Sequence, residues 1–591
     1  MFAIRAKVVS SFVVLLAVLV VGSSRLSHAL VIEDRVFDRS DLPQILGAGE
    51  NVLTIRRSTF RSSQALQINL TAMVVASLAA GTPSATVDLI IHDCTFESYS
   101  SLWIALLTAT AQLSFPPTHI ARINITLHNN VFTNATVVIH PLNSSTLGST
   151  AMLWTIAVNV IGNSWTMGVR DDSVDNMQLA PTLLQPGLTD LIGYSARSRF
   201  YLPIWTAIAF GSIGGSTNLT MTDNSFHFEH VDSCIAVRFA EDAVVSLGTA
   251  WSFHRNNFTA LRSGPQYVTT LMFPPSLLVQ GVVDVSDNSF QINVRASGIA
   301  IRFNSVNPMG LSASIVVRHC VFDIYSTTAA LFAFLEALQL DSGSKFSIAE
   351  NSGHVNNRDS SMFLRIGSLT IADSFVDVSQ NSVNLTVRYA GTSESRGYWL
   401  AIRDAASVTG QSTASGIAVR GNQAFVSLGS GLGHFVLFEK PTSVSGSKAA
   451  VEITNNSASV VATSWALANA VHSMVSITEG SSLSASSTLN ISFNTAEISG
   501  KMPRFFGFGD IDVTTGSKLV VGSNVISRIA AFDEFATFIA GRRLWTSQNA
   551  SSSIAKNIVR NITTPGVRTR SWFSVASTWR TQLQSSSWRI R

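Results

Sequence analysis

The sequence predicts an all-β chain wound as a right-handed parallel β-helix of about 15 coils. Three observations carry that expectation. A short phrase recurs roughly every 33 residues. Alternating apolar and polar residues precede each phrase, the period of a strand with one buried face. Hydrophobic residues make up 46% of the 591 residues and charged ones only 13%, which suits one long continuous core and excludes a disordered chain.

The phrase is Asn or Cys, one residue, then an aromatic or aliphatic. It reads Ser58-Thr-Phe60, Cys94-Thr-Phe96, Asn130-Val-Phe132, Asn163-Ser-Trp165, Asn224-Ser-Phe226, Asn256-Asn-Phe258, Asn288-Ser-Phe290 and Cys320-Val-Phe322. It continues in weaker form at Asn351, Asn381, Asn422, Asn456, Asn494, Asn524 and Asn557. The step of 61 from Asn163 to Asn224 reads as two periods with one phrase lost. A second strand follows each phrase, as in Cys234–Phe239, Gly298–Phe303, Ser361–Ile366 and Gly397–Ile402. Strands at this repeat without crossover helices point to stacked coils, and no propeller signature is present.

Stacking would align Phe96, Phe132, Trp165, Phe226, Phe258, Phe290 and Phe322 in one aromatic ladder. Asn130, Asn163, Asn224, Asn256 and Asn288 would form an amide ladder beside it. Asparagine is expected at the bend itself, because it tolerates left-handed backbone angles and can bond its counterpart one coil away. Cys94 and Cys320 stand in as small buried residues. At roughly 4.8 Å per strand the rod would be on the order of 70 Å long.

The ends set the address. Arg5 and Lys7, the apolar run Val8–Gly22 and Ser27-His28-Ala29 form a secretory signal peptide over residues 1–29, cleaved after Ala29 or kept as an anchor. The solenoid is assigned to 30–566, with an extruded loop near 166–217. Leu30–Asp41 and the tail from Val567 are the candidate caps. The tail, 567–591, carries Arg568, Arg570, Arg580, Arg589 and Arg591 with Trp572, Trp579 and Trp588. It reads as a cap, with Ser571–Val575 as a last strand, or as a patch for an anionic membrane face or glycan. Asn-x-Ser/Thr acceptors for glycosylation occur at Asn69, Asn124, Asn134, Asn143, Asn218, Asn257, Asn384, Asn455, Asn490, Asn549 and Asn561.

Function classes narrow by exclusion. A net charge of +4 with no basic block in the fold argues against nucleic acid. Three cysteines make neither a disulfide framework nor a zinc site, and all three are expected to be free. Neither cofactor nor metal is expected. The rival to a non-catalytic role is a carbohydrate-active β-helix enzyme, which needs acids and bases clustered on neighbouring coils. Asp171-Asp172 and Gly353-His354-Val355 match fragments of hydrolase phrases but lie about six coils apart. The acids Glu33-Asp34, Glu241-Asp242, Asp510 with Asp512, and Asp533-Glu534 read as solvated loop charges. His92-Asp93-Cys94 reads as a turn before a buried Cys rather than a nucleophile, Gly429–Gly433 as a turn, and Phe505–Gly509 as a packed strand.

The phrases Ile91-His-Asp-Cys-Thr-Phe96, Val317-Arg-His-Cys-Val-Phe322 and Thr222-Asp-Asn-Ser-Phe226 resemble the repeats of the dispersed gene family 1 surface proteins of trypanosomes and their membrane-associated kinetoplastid relatives. The resemblance covers roughly residues 50–565. It implies a large exported glycoprotein with a pectin-lyase-like β-helix, placed at the surface or in vesicles, with an adhesive role. Long members of that family carry several C-terminal membrane spans, and none is visible in this sequence. The expected partners are glycans or host and prey surface proteins, with peripheral membrane association through the tail. The expected location is the secretory pathway, then the cell surface or the medium.

Overall fold

The computed structural model describes residues 29–563 together with 573–575 and 589–590. Excepted are 39–44, 47–50, 62–65, 71–72, 75–76, 78–83, 98–101, 106–119, 141–152, 169–203, 212–215, 230–232, 240–241, 262–266, 389–394, 464–469 and 533–535, and residues 413 and 548. The signal peptide (save Ala29), Asn143, Asp171-Asp172, Glu241 and Asp533-Glu534 lie outside the described residues. Regular structure in the rest is almost wholly strand, with a few helical residues between Leu70 and Ser77.

Each coil contributes strands to three parallel sheets, so the chain is an all-β solenoid of stacked coils. Among the described residues the first sheet holds 16 strands, from Ala29–Glu33 to Ser551–Ala555, each bonded to its counterpart in the next coil. The second sheet carries the phrase aromatics on strands such as Ser225–Glu229 and Asn257–Leu261, paired Phe226↔Phe258. The third contains the second strands read from the sequence, including Ser233–Phe239, Ser297–Pro308, Ser360–Ala372 and Arg396–Ile402. Alternation decides which residues enter the core. Leu219, Met221, Trp251, Phe253, Val283, Val285, Ile315 and Val317 point inward along the first sheet and are fully buried. The β-branched and aromatic residues among them suit a pleated surface.

The amide ladder runs at the corner between the first and second sheets. Asn224 donates from its backbone N at 3.1 Å and its Nδ2 at 2.9 Å to Oδ1 of Asn256, and Nδ2 also donates to the Val160 carbonyl at 2.8 Å. Asn256 repeats the pattern onto Asn288 and the Met221 carbonyl. The same rung recurs from Asn351 through Asn381, Asn422, Asn456, Asn494 and Asn524 to Asn557. At Cys94 and Cys320 the backbone N still donates to the next asparagine, at 3.0 Å each, while the thiol turns back to a carbonyl of the preceding coil.

Three expectations need correction. The asparagine is not the left-handed residue. That conformation falls one position earlier, at Asp223 (φ 58), Arg255 (φ 51), Asp287 (φ 58), His319 (φ 52) and Glu350 (φ 57). The turn bends there, and the asparagine that follows can then aim its amide along the rod axis. The residues at the bend form an exposed column, in which Arg255 pairs with Asp223 at 2.8 Å and holds that carboxyl below its ordinary range.

The 61-residue step hides no lost phrase. Asn163 Nδ2 donates directly to Asn224 Oδ1 at 3.1 Å, and Trp165 stacks on Phe226 at 4.7 Å, so the segment is one coil.

The aromatic ladder runs unbroken from Phe37 through Phe60, Phe96, Phe132, Trp165, Phe226 and Phe258 to Phe290, with ring centroids 4.6–5.1 Å apart. Phe322 leaves it and stacks on Phe332 of the third sheet at 4.2 Å. The next coil offers Gly353 in that register, and the space a Cβ there would take is already filled by the Phe322 carbonyl and ring.

The end segments add rungs. Ala29–Glu33 pairs with Val52–Arg56, and Phe37 stacks on Phe60 at 4.8 Å, so the start of Leu30–Asp41 is itself a coil. In the tail, Phe573–Val575 extends the third sheet and Arg589–Ile590 the second.

Replacing Asn256 by Leu would leave the Asn224 backbone N without its acceptor, remove one of the two acceptors of Asn224 Nδ2, and take one donor from the Met221 carbonyl. The expected loss is about 3 kcal/mol in local stability. The check is native-state hydrogen exchange across Leu219–Phe290, because a long repeat array does not unfold in one step. Asn256→Cys should cost less, since a thiol already fills this rung at Cys94 and Cys320.

Candidate functional site: a groove on the outer face of the second sheet

Because coils stack in register, outward residues form columns along the rod. On the second sheet one column reads Asp323, His354, Asn384, Phe425, Ser459, Glu497 and Arg528. A groove of about 320 Å³ opens over its C-terminal part, lined by Asn384, Gln423, Phe425, Ser457, Thr495, Glu497 and Ser527 among others. That volume is at the small end of the range for ligand sites. Phe425 is 43% exposed although its neighbours in the column are polar. Asn384 Nδ2 lies 3.4 Å from Nδ1 of His354, and Glu497 lies 3.7 Å from Arg528. Amides, hydroxyls and one open aromatic face suit a polyhydroxylated ligand. Among the described residues the lining holds one acid, Glu497, with no second carboxylate beside it for general acid–base work.

The third sheet differs. On its outer face Leu331, Met362, Tyr398, Ala401 and Leu437 form an apolar cluster separate from the main core. Arg302 and Arg365 lie over the Phe334 ring at 5.5 and 5.0 Å. Burial, with Arg403 nearby, lowers the Arg365 guanidinium below its ordinary value. At the end of this face Arg403 donates to Glu439 at 3.1 Å and Lys440 to Glu479 at 2.6 Å. These charges satisfy one another across adjacent coils.

His434 and His472 are buried in neighbouring strands of the third sheet. The His434 ring sits 2.6 Å from the Ser473 hydroxyl, and Gly500 leaves the room that the His472 ring occupies. Burial pushes His434 down to about 3 and His472 to about 4.

The motifs weighed in the sequence settle into structural places. Cys94, Cys234 and Cys320 are free and buried. Burial raises the Cys94 thiol to about 11 and that of Cys320 to about 12, and raises Cys234 as well. His92 bonds Asp93 at 2.8 Å on the surface while Cys94 faces inward, so the three do not form a nucleophile. Gly353-His354-Val355 lies in the strand Ser352–Asn357. Gly429–Gly433 turns into the strand Leu432–Phe438, and Gly431 lies too close to the Ser395 carbonyl for a Cβ. Phe505–Gly509 is strand, with Phe505 fully buried. Glu33 and Asp34 pair with Arg56 and Arg57, and Asp510 with Arg542. Asp242 accepts from the Ser276 backbone at 2.9 Å. Among the described residues no group of three His, Cys, Asp or Glu is placed to hold a metal, and no helix is long and apolar enough to cross a membrane.

The acceptor asparagines divide by exposure. Asn124, Asn218, Asn257, Asn384, Asn455, Asn549 and Asn561 are exposed, and Asn69 and Asn490 are half-buried. Asn134 is buried, and its Oδ1 accepts from the Gly168 backbone at 2.6 Å. Sequence reasoning missed the groove. Its signal was Phe425, an aromatic at an outward position off the recurring phrase.

The fold defines a parallel β-solenoid with a polar, aromatic-lined groove. No family model, curated protein or solved structure matches the chain.

Two measurements test this picture. The cysteines should resist thiol reagents at pH 8 in the native chain and react fully once it is unfolded, because a raised pKa leaves the thiol protonated. The buried histidines make stability depend on pH. Their folded pKa values lie below the unfolded value of 6.5, so the unfolded chain binds protons that the folded one refuses. Stability contributed by each should therefore fall below about pH 6.5, by about 1.4 kcal/mol per pH unit at most, and level off near their folded values. Hydrogen exchange in Leu432–Phe438 and Val471–Ile477, corrected for intrinsic rates, should show this loss between pH 7 and pH 4.

Proposed function

We propose that the chain is an exported, glycosylated, non-catalytic β-solenoid that acts in adhesion or surface coating, at the cell surface or in the medium. The observation that carries this reading is the outward placement of Asn124, Asn218, Asn257, Asn384, Asn455, Asn549 and Asn561 on a rigid rod. Its partners are glycans or surface proteins of a host or prey, met along the outward columns of polar side chains on the stacked sheets. A signal peptide at residues 1–29 accounts for export, and the Arg- and Trp-bearing tail accounts for peripheral contact with a membrane. The finer form of the fold belongs to the same proposal: a right-handed, pectin-lyase-like winding of about 15 coils, similar to the kinetoplastid surface proteins. This finer reading builds on the stacking of parallel strands from coil to coil.

A second reading, a carbohydrate-active enzyme, has one observation in its favour. Arg365, Arg403, Asp404, Glu439 and Lys440 gather on adjacent coils of the third sheet. Arg403 pairs with Glu439, Lys440 with Glu479, and Arg365 lies over the Phe334 ring, which favours a structural role for these charges.

Fractionating cells with an antibody to the mature chain should find it in the medium, in vesicles or peripherally on membranes, and not in the cytosol. The secreted chain should bind members of a glycan array. Zero binding would reduce the role to a spacer or coat, and turnover of an acidic polysaccharide would replace adhesion by catalysis.

A further inference from the structure

The groove begins at a glycosylation acceptor. Asn384 lines its N-terminal end, and the remaining lining residues run from there toward the C-terminal coils. Asn384 opens the acceptor Asn384-Leu-Thr386 and is exposed on the outward face of Ser382–Val387. Its partner in the next coil is Phe425, which keeps 43% of its surface open. An apolar ring gains nothing from water on a face otherwise lined by Gln423, Ser457, Ser459 and Thr495.

A second acceptor has the same arrangement. Asn455 lies between Thr454, which pairs with Ser492, and Asn456, which bonds Asn494, so it stands opposite Phe493 of the next coil. Phe493 is 61% exposed and holds a left-handed φ of 58, a costly conformation for a bulky side chain. In both cases the aromatic sits one coil C-terminal to the acceptor, about 4.8 Å along the rod.

We propose that Asn384 carries an N-linked glycan whose first sugars occupy this groove stacked on Phe425, and that Phe493 seats the glycan of Asn455 in the same way. The inference rests on the reading of the chain as an exported glycoprotein. The attachment transfers an oligosaccharide from a lipid pyrophosphate. Nδ2 of the asparagine forms a bond to the anomeric carbon, the bond from that carbon to the pyrophosphate oxygen breaks, one amide proton leaves to a base, and the lipid pyrophosphate departs. The modified nitrogen keeps one hydrogen, enough to retain the Asn384 contact with His354. The sugar then projects outward beside a ring whose electron-rich face attracts the C–H groups of its flat side. A volume of about 320 Å³ accommodates the first sugars and leaves the outer branches in solvent.

The test uses the full chain secreted from a eukaryotic culture, with site occupancy and native deglycosylation rates by a peptide N-glycanase read by peptide mass spectrometry. Asn257 is the internal comparison: it is exposed on the same sheet, but its neighbour in the next coil is Ser289. Asn384 should be occupied and should release its glycan about fivefold more slowly than Asn257, the factor that a contact on the scale of an aromatic pair supplies. Phe425→Ser should bring the rate to that of Asn257. In the Thr386→Ala background, which removes the acceptor, Phe425→Ser should leave local hydrogen exchange unchanged, so the effect is not one of folding. Equal release rates at the two sites, or an Asn384 rate indifferent to Phe425→Ser, would overturn the seat. Asn384 empty beside occupied Asn124, Asn218 and Asn257 would overturn the seat alone. A chain with every acceptor empty would remove the glycoprotein reading along with it.

Discussion

Every coil of this protein must satisfy the buried amides of the coil before it. An asparagine inside the ladder, such as Asn256, accepts two hydrogen bonds through one oxygen and donates two through one nitrogen, and all four cross to a neighbouring coil. An unpaired amide in that apolar interior costs more than the bond is worth when made. A slip of one residue would orphan a whole rung and turn the inward aromatics to solvent. The ladder therefore sets the register, and the sheets and the aromatic stack follow it.

The same constraint explains why coils of unequal length coexist. Steps of 30 to 61 residues separate successive rungs, yet the rung geometry is unchanged from Asn163–Asn224 to Asn494–Asn524. Length varies at the other two corners, where buried amides such as Asn134 and Asn357 stand singly and no column of asparagines has to be matched from coil to coil. A solenoid built this way can carry insertions there without losing its core, and that is where surface function evolves with least penalty.

Register also organises the outer faces. Residues far apart in sequence become neighbours every 4.8 Å or so along the rod, and chemistry accumulates in columns rather than in a single pocket. The second sheet gathers amides, hydroxyls and Phe425 into a shallow groove, while the third gathers Arg302, Phe334, Arg365, Tyr398 and Leu437 into a more apolar face. Both are extended surfaces, suited to recognition along a length of polymer or to carrying attached glycans.

Period and alternation were legible in the amino acids alone. The recurring Asn-x-aromatic phrase located the rungs, and the alternation of Leu219 and Met221 or Val283 and Val285 marked the buried face, because both depend on local pattern. Three features were set only by the tertiary structure. The left-handed residue precedes the asparagine, a matter of how the backbone must turn to aim the amide. Phe322 abandons its column because Gly353, in the next coil, leaves the space over it to the Phe322 ring and carbonyl. Asn384 and Phe425, 41 residues apart, meet at the mouth of one groove only because their coils stack in register. Local sequence can specify what each coil buries, but which outward side chains become neighbours depends on coil lengths that only the closed winding reveals.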